Sequence, residues 1–253
     1  RSEAFISIIT IISVLGVAIG VMVLCIVMAV MTGFEHELRE RIVGTDSHIV
    51  VQKLGGHVAR WREAAERIVR VSGVASVSPY TYQQALLRAG ERATGVLVRG
   101  VAAGTPGAAQ LEHFLERGSR MVQLFDPPPL PAYSALGREE AEVRLPGIVV
   151  GRELRESMGL LPGTPVSLLS PSVASSPFGL VPKFRRFVVT GSYKSGLMEY
   201  ESALVYVSLE EAQKFFGLGD AVSGLEVRVH EIDAAPEIAE RIIEALGGVD
   251  RAK

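Results

Sequence analysis

The sequence predicts an α+β protein with one N-terminal transmembrane helix and stalk, followed by one globular region. Three observations predict this class. They are a long apolar run at residues 5–31, short alternating segments separated by Gly and Pro, and two similar amphipathic helices near the ends of the globular region. With 253 residues, the chain is long enough for about one to two domains of ~100–200 residues each.

Composition excludes some classes of function. The chain has 26 basic and 28 acidic residues, a formal net charge of -2, which argues against a nucleic-acid partner because such surfaces need a clustered positive field. The single cysteine, Cys25, lies in the apolar run, so the globular fold does not depend on disulfides. Because the sequence starts at Arg1 and stops at Lys253, we expect a fragment or a processed form.

The apolar run predicts a membrane-spanning helix. A helix needs roughly 20 apolar residues to cross the hydrocarbon core, and residues 14–31 contain no side chain more polar than Cys25. A secretory signal peptide is the alternative, but its apolar part is usually ~7–15 residues long. Gly16 and Gly20 form a G-x-x-x-G pair, which we expect to pack against another membrane helix. An amphipathic stalk over 33–43 continues the helix.

The globular region begins with alternating strands and one helix. We predict a helix over 60–71 and strands at the following ranges: 48–54, 74–82, 83–88 and 94–101. Near the C-terminus a strand over 224–229 precedes a helix over 236–246, with Asp233 as its candidate cap. The two helices share an AER-I core, which suggests two β-α units on one sheet.

The intervening segment, 102–222, is predicted to be a β-rich insertion whose first part is rich in loops. Predicted strands lie at 147–151, 165–169, 187–193 and 203–207, and predicted helices at 152–158 and 209–216. The predicted domains are therefore the transmembrane helix and stalk at 1–43, an α/β subdomain at 44–101 and 223–253, and the insertion at 102–222.

Motifs of catalysis are missing from the sequence. It contains no G-x-x-x-x-G-K-[ST] phosphate loop, no H-E-x-x-H, no C-x-x-C and no G-x-S-x-G. The five histidines are scattered, and the acidic residues mostly alternate with basic ones, as on solvated helix faces. We therefore expect no catalytic residue, no metal site and no cofactor.

The composition of one loop, residues 170–186, predicts a partner interface. Residues 170–186 read SPSVASSPFGLVPKFRR, with several prolines, the apolar residues Phe178, Leu180 and Val181, and a basic end. Proline stiffens a projecting loop, and apolar residues at its tip are costly unless they meet a partner. The alternative is an ordinary connection that folds onto its own domain.

The sequence as a whole resembles the LolC/LolE family of lipoprotein-releasing ABC permeases, within the MacB/FtsX-like superfamily. The resemblance lies in ITIISVLGVAIGVMVLCIVMAVMTGFEHELRERIVGTDSHIVV, in GRELRESMGLLPGTPVSLLSPS and in FVVTGSYKSGLMEYESALVYVSLEEAQKFF. It implies a MacB-like periplasmic domain, with an α/β porter subdomain and an inserted β-rich sabre subdomain. It also implies four membrane helices in the whole protein, of which this chain contains the first.

The resemblance implies a set of partners and a location. Family members extract lipoproteins from the inner membrane of Gram-negative bacteria and pass them to the periplasmic carrier LolA. A separate LolD-like subunit hydrolyses ATP, so this chain is expected to be a non-catalytic transporter subunit. The other expected partners are membrane lipid and a second permease subunit, either LolE-like or a second copy.

The resemblance also assigns site residues. A hairpin called the hook captures the carrier, and residues 171–182 match its position, with the expected contacts at Pro171, Pro177, Phe178, Gly179, Leu180, Val181 and Pro182. Phe178 stands where a methionine-like residue is expected. Lys183, Arg185 and Arg186 are expected to form a neighbouring basic pad. The hook favours a LolC-like or combined LolC/E (LolF-like) subunit over LolE.

Two other functions remain open from the sequence. A MacB-like efflux permease or an FtsX-like regulatory permease would share the fold. The hook speaks against both, because neither is expected to need this loop. A membrane-anchored enzyme would need a cluster of titratable residues in a cleft.

Overall fold

A computed structural model describes the backbone of residues 2–43, 47–133, 139–176 and 179–247, and the side chains within 11–34, 47–130, 144–170 and 183–247. The chain divides into two compact units, Arg1–Asp46 and Ser47–Lys253. The helices are α1 Ser2–Val43, α2 Trp61–Val69, α3 Pro106–Phe114, α4 Val122–Phe125, α5 Arg152–Met158, α6 Met198–Ala203, α7 Leu209–Phe216 and α8 Ala235–Leu246. The strands are β1 Ile49–Gln52, β2 Val74–Ala89, β3 Arg92–Val101, β4 Leu130–Tyr133, β5 Glu139–Val143, β6 Gly147–Gly151, β7 Pro165–Ser176, β8 Gly179–Tyr193, β9 Leu204–Ser208 and β10 Gly224–Val229.

The first unit is the single helix α1. Within it, Ile11–Phe34 has a mean hydropathy of 3.0 and is long and apolar enough to cross a membrane. Its apolar side chains are exposed within its own unit. The expected continuation of the membrane helix into a stalk is confirmed as one helix that extends to Val43.

The second unit is built on one eight-stranded mixed sheet, in the order β1-β10-β2-β3-β9-β6-β8-β7. Strand β7 also pairs with β2, so the six strands β2, β3, β9, β6, β8 and β7 close a ring that we call the barrel. Strand β2 belongs to both parts, because its first half pairs with β10 and its second half with β7.

Alternating side chains fill the barrel. Each of its strands directs every second residue inward, as the two-residue repeat of a strand requires. The inward side chains are Ala85, Leu87, Val96, Val98, Ile148, Val150, Val166, Leu168, Phe187, Val189, Val205 and Val207. Phe215 of α7 completes this core and meets the ring of Phe187 edge-on.

A second core lies where α2 and α8 cover β1 and β10. Ile68 of α2 and Ile238 and Ile242 of α8 are buried against Leu225 and Val227 of β10. Both helices are amphipathic, and α8 ends at Gly247, whose positive φ of 96° suits glycine. The prediction of two β-α units on a shared sheet is confirmed here.

The subdomain boundaries at 101/102 and 222/223 remain predictions. Strands β2 and β3, from the predicted α/β subdomain, extend into the barrel and contribute Ala85, Leu87, Val96 and Val98 to its core.

Several sequence predictions need correction. The strands predicted at 74–82 and 83–88 are one strand, because β2 keeps an unbroken register with β3 from Tyr80 to Ala89. The segment predicted to be rich in loops contains α3, α4, β4 and β5, and α6 was not predicted. Asp233 does not cap α8; it lies in a short 3-10 helix, Ile232–Ala234, and Ala234 holds the capping position.

Candidate functional site

Several titratable groups in the described part of the chain form hydrogen bonds within the fold. No group of three or more His, Cys, Asp or Glu side chains is placed to hold a metal ion within the described residues. The Val229 N–H donates to His48 Nδ1 over 3.1 Å, and His57 Nε2 lies 3.0 Å from Gln83 Nε2. The buried Glu201 carboxylate accepts from the backbone N–H groups of Ser195 and Gly196 over 2.8 and 2.7 Å.

The candidate site is the hairpin formed by β7 and β8. Its inner part lies in the barrel, where Leu169 pairs with Phe184 and also with Leu86 of β2. The register shifts between Leu169 and Val173, and pairing resumes from Val173 opposite Pro182 to Ser176 opposite Gly179. In the described sheet, this distal part pairs only with itself.

The hairpin therefore projects beyond the barrel edge. From Phe184 to Gly179 the chain advances five residues, roughly 17 Å at ~3.4 Å per residue in extended conformation. A projecting two-stranded arm has unpaired edges on both sides, which favours contact with a partner. The prolines predicted this segment from the sequence, whereas the full length of its strands is seen only in the structure.

The structure locates most of the expected hook residues on the two strands. Pro171 lies on β7, and Gly179, Leu180, Val181 and Pro182 lie on β8. The side chains of 171–182 are outside the described set, and Pro177 and Phe178 lie outside the described residues altogether. Their contacts with a carrier remain predictions.

The three residues expected in the basic pad do not share one face. Successive residues of a strand point to opposite faces, so Lys183 and Arg185 lie on the α7 side of β8 and Arg186 on the other. Two observations place the first two: a Cβ added at Gly217 would lie 3.0 Å from Lys183 Nζ, and Arg185 forms an ion pair with Glu211 of α7. The structure thus separates the expected pad into two parts.

The charge of Arg185 is already compensated within the domain. Its partner Glu211 also accepts from Lys214 Nζ over 3.2 Å, and Lys214 lies 4.0 Å from Glu210. Glu211 is held at the start of α7, where its backbone N–H donates to the Ser208 side chain. Arg185 therefore attaches the base of the hairpin to α7.

The opposite face of the hairpin base carries two residues, Leu86 and Arg88, that were not predicted from the sequence. Leu86 and Arg88 of β2 lie beside β7, where Leu86 pairs with Leu169 and Arg88 with Ser167. Arg88 also lines a hollow with Gly90, Pro165, Ser167, Leu169, Phe184 and Arg186. Leu86 and Arg88 are exposed, as is Phe184 at 69% of its full surface. The two-residue repeat of a strand could have put Leu86 and Arg88 on one face, but neither residue was assigned to a face from the sequence. Their closeness to the hairpin depends on the long-range pairing of β2 with β7.

The expected helix-packing pair lies on α1. Apart from the nearby backbone of α1 itself, no described atom would come within 4 Å of a Cβ added at Gly16 or Gly20. The face is therefore open in this structure, and its packing against another membrane helix remains a prediction.

The chain matches a known protein family over most of its length. Residues 10–245 match the family model described as MacB-like periplasmic core domain. "Lipoprotein-releasing system transmembrane protein LolC" of Xylella fastidiosa (strain 9a5c) is 30% identical over 248 residues, which are 98% of this chain and 55% of that protein. The protein of the same name from Neisseria meningitidis serogroup B is 27% identical over 246 residues, 96% of this chain and 54% of that protein.

The chain spans about half the length of these relatives. A crystal structure of the periplasmic region of MacB from Actinobacillus actinomycetemcomitans matches 79% of this chain and 84% of its own, with a TM-score of 0.49 and 13% identity.

Proposed function

Because the chain belongs to the family of MacB-like periplasmic core domains, we propose that it is the first membrane helix and periplasmic domain of a LolC-like or combined LolC/E permease subunit. In this proposal the subunit belongs to an ABC complex that extracts lipoproteins from the inner membrane and hands them to a LolA-like periplasmic carrier. The relatives named LolC are similar over nearly the whole chain and support membership of a lipoprotein-releasing system. The projecting hairpin supports a role in binding the carrier.

The hairpin is the observation that carries the proposal. It extends past the barrel edge and contains the segment for which the resemblance implies the hook. Its base is fixed on both sides, by pairing of Leu169 with β2 and by the Arg185–Glu211 ion pair. A stiff arm with a rigid base presents its tip to a partner at low entropic cost. The proposed carrier contacts are Pro177 and Phe178 at the tip and the strand residues on either side.

The proposed mechanism is mechanical. ATP hydrolysis in a separate LolD-like subunit moves the membrane helices, and α1 with its stalk transmits this motion to the periplasmic domain. The sequence has no phosphate-binding loop of its own, which agrees with a non-catalytic subunit in this arrangement. A second permease subunit, LolE-like or identical, would complete the membrane part. Lipoprotein would enter from the surrounding lipid.

The location in this proposal is the inner membrane of a Gram-negative bacterium. Helix α1 would start on the cytoplasmic side, and the unit beginning at Ser47 would lie in the periplasm. The family's description as a periplasmic core domain supports this orientation.

Replacing the hook tip should weaken carrier binding without affecting the fold. The change is Pro177→Ser with Phe178→Ser in the full chain in detergent, and the measurement is the Kd for purified LolA-like carrier by biolayer interferometry. Loss of the proposed aromatic contact of Phe178 with the carrier should raise the Kd at least about tenfold. The matched control is Leu161→Ser, an apolar residue 67% exposed in the turn before β7.

The proposal fails if the tip variant and the control bind carrier as tightly as the unchanged chain. Failure of the unchanged chain to bind the carrier would also contradict the proposal, and would favour an efflux or regulatory permease with the same fold.

A further inference from the structure

A second hollow, of about 250 Å³, opens on the second unit where β1 ends, α2 begins and α8 ends. Its floor is apolar, because it consists of outer side chains of the core that α2 and α8 share, namely Val51, Val58, Ala64 and Leu246. These side chains are only partly buried. The hollow therefore offers an apolar surface that a small ligand can cover.

The rim of this hollow is mainly cationic. Lys53, Arg60 and Arg67 line it together with one carboxylate, that of Glu63. Arg60 lies 3.8 Å from Glu63, and both side chains are largely exposed, so this ion pair is weak. Among the described side chains, Lys53 and Arg67 have no carboxylate within ion-pair distance. The hollow therefore combines an excess of positive charge with an apolar floor.

Backbone geometry fixes two of the three cations at the rim. Arg60 has a φ of 46°, the one positive φ of a non-glycine residue within the described chain. This conformation is sterically costly for a residue with a Cβ, and no side-chain hydrogen bond caps α2 to offset the cost. The Lys53 carbonyl accepts from the Gly56 N–H over 3.3 Å, which closes the turn beside the Lys53 side chain. Strained residues of this kind occur at ligand sites.

We infer that the hollow binds the headgroup of an anionic phospholipid, with the phosphate among Lys53, Arg60 and Arg67 and the glycerol and first acyl carbons on the apolar floor. Guanidinium groups suit phosphate oxygens because their N–H donors form a planar fork. The apolar floor favours an amphiphile over a free anion. The inference rests on the proposed function, which joins this unit to membrane helices.

The path of the chain selects a membrane lipid as the occupant. Val51 lies shortly after Ser47, the first residue of the second unit, and Leu246 is the last residue of α8. The hollow thus lies where the chain enters the unit and where it leaves the last described helix. In the proposed function α1 precedes this unit, and the family resemblance implies further membrane helices after it. Basic pockets at such positions bind anionic headgroups.

The single tryptophan of the chain, Trp61, directly follows Arg60 and reports on the hollow. The test titrates dihexanoyl-phosphatidylglycerol into the full chain in detergent and follows Trp61 fluorescence. We expect a saturable change, with a Kd at least about tenfold lower than for dihexanoyl-phosphatidylcholine or inorganic phosphate. Lys53→Gln with Arg67→Gln should raise the Kd for dihexanoyl-phosphatidylglycerol about tenfold. The matched control is Arg117→Gln with Arg120→Gln, which removes the same charge at two exposed arginines between α3 and α4.

A further variant separates ligand binding from structure at Arg60. Glycine adopts a φ of 46° without a steric penalty, so Arg60→Gly should leave the midpoint of thermal unfolding unchanged or raise it. The same variant should raise the Kd for dihexanoyl-phosphatidylglycerol at least about fivefold. An unchanged Kd in Arg60→Gly would contradict the role of Arg60 in the site.

The remaining outcomes are decisive for the occupant. Equal affinity for the two short-chain lipids would show that the apolar floor alone binds, and equal affinity for dihexanoyl-phosphatidylglycerol and inorganic phosphate would show a site for free anions. Either result overturns the inference, as does an equal Kd in the Lys53/Arg67 variant and its control, or the absence of a saturable change. All of these leave the proposed function intact, because carrier binding by the hook tests that function separately. Carrier binding that survives replacement of the hook tip overturns the proposed function, whereas the lipid titration does not depend on the hook.

Discussion

Excision of the hook should abolish carrier binding while the domain stays folded. The change replaces residues 171–182 with Asn-Gly, so that Ser170 and Lys183 flank a two-residue turn. This turn fits because Leu169 already pairs directly with Phe184, and Asn-Gly is the preferred sequence for a two-residue hairpin. No residue of the described cores lies in the excised segment. We expect the Kd for the carrier to rise more than about a hundredfold, because several anchor residues are removed together.

The control for excision is the thermal unfolding of the same protein, followed by circular dichroism. Unchanged unfolding with lost binding assigns the hairpin to partner recognition. Unchanged unfolding with unchanged binding would contradict the assignment, and the segment would then be a connection of no importance to the carrier.

Removing the carboxylate of Glu226 should cause a large loss of stability. Glu226 of β10 accepts two hydrogen bonds from Arg99 of β3 over 2.6 and 2.7 Å, and each side chain is only 14% exposed. The guanidinium carbon also lies over the rings of Tyr80 and Tyr206, 5.9 and 5.8 Å from their centroids. Glu226→Ala leaves this charge largely buried without its counter-ion, which should lower the free energy of unfolding by about 3 kcal/mol.

Urea unfolding of the full chain in detergent measures this effect. Asp220→Ala is the matched control, because Asp220 also accepts two hydrogen bonds from one arginine, Arg62, but the two side chains are 63% and 62% exposed. Its effect should stay below about 1 kcal/mol. Arg99→Met with Glu226→Met should recover much of the loss. Equal effects of Glu226→Ala and Asp220→Ala would contradict the importance of burial.

Elements with a strong local signal could be predicted from the sequence. Helix α5 and helix α7 have the predicted bounds, and α7 has both a capping Ser208 and a terminal Gly217. The apolar run of α1 is long enough to cross a membrane, and its length and composition were sufficient to predict one long helix. The two AER-I helices were predicted from their amphipathic pattern, and in the structure their apolar residues lie in one common core.

Elements that depend on distant contacts could not be predicted. Helix α6 is only six residues long. It is stabilised by hydrogen bonds with nearby residues of the same chain. The Tyr193 hydroxyl lies 2.9 Å from the Tyr200 carbonyl oxygen and 3.1 Å from that of Leu204, and burial raises the pKa of Tyr193, so the hydroxyl remains protonated. Glu201 accepts from the loop just before the helix. None of these partners is visible in a local pattern.

The same limit applies to the candidate site. The prolines of 171–182 marked the hairpin, and the basic residues after it were visible as a run. A run cannot show which face of a strand each residue occupies relative to α7, and it cannot show that Arg88 lies beside Arg186. Both facts follow from the closure of the barrel by β2 and β7.

The most direct test of the central claim is site-specific photo-crosslinking in cells. A photoreactive amino acid replaces Phe178 in the full-length protein, and the control replaces Leu54, which is 93% exposed in the turn after β1. We expect irradiation to join the Phe178 position, and not the Leu54 position, to the LolA-like carrier, identified by mass spectrometry of the adduct. The absence of a carrier adduct at Phe178, or equal adducts at both positions, would contradict the account.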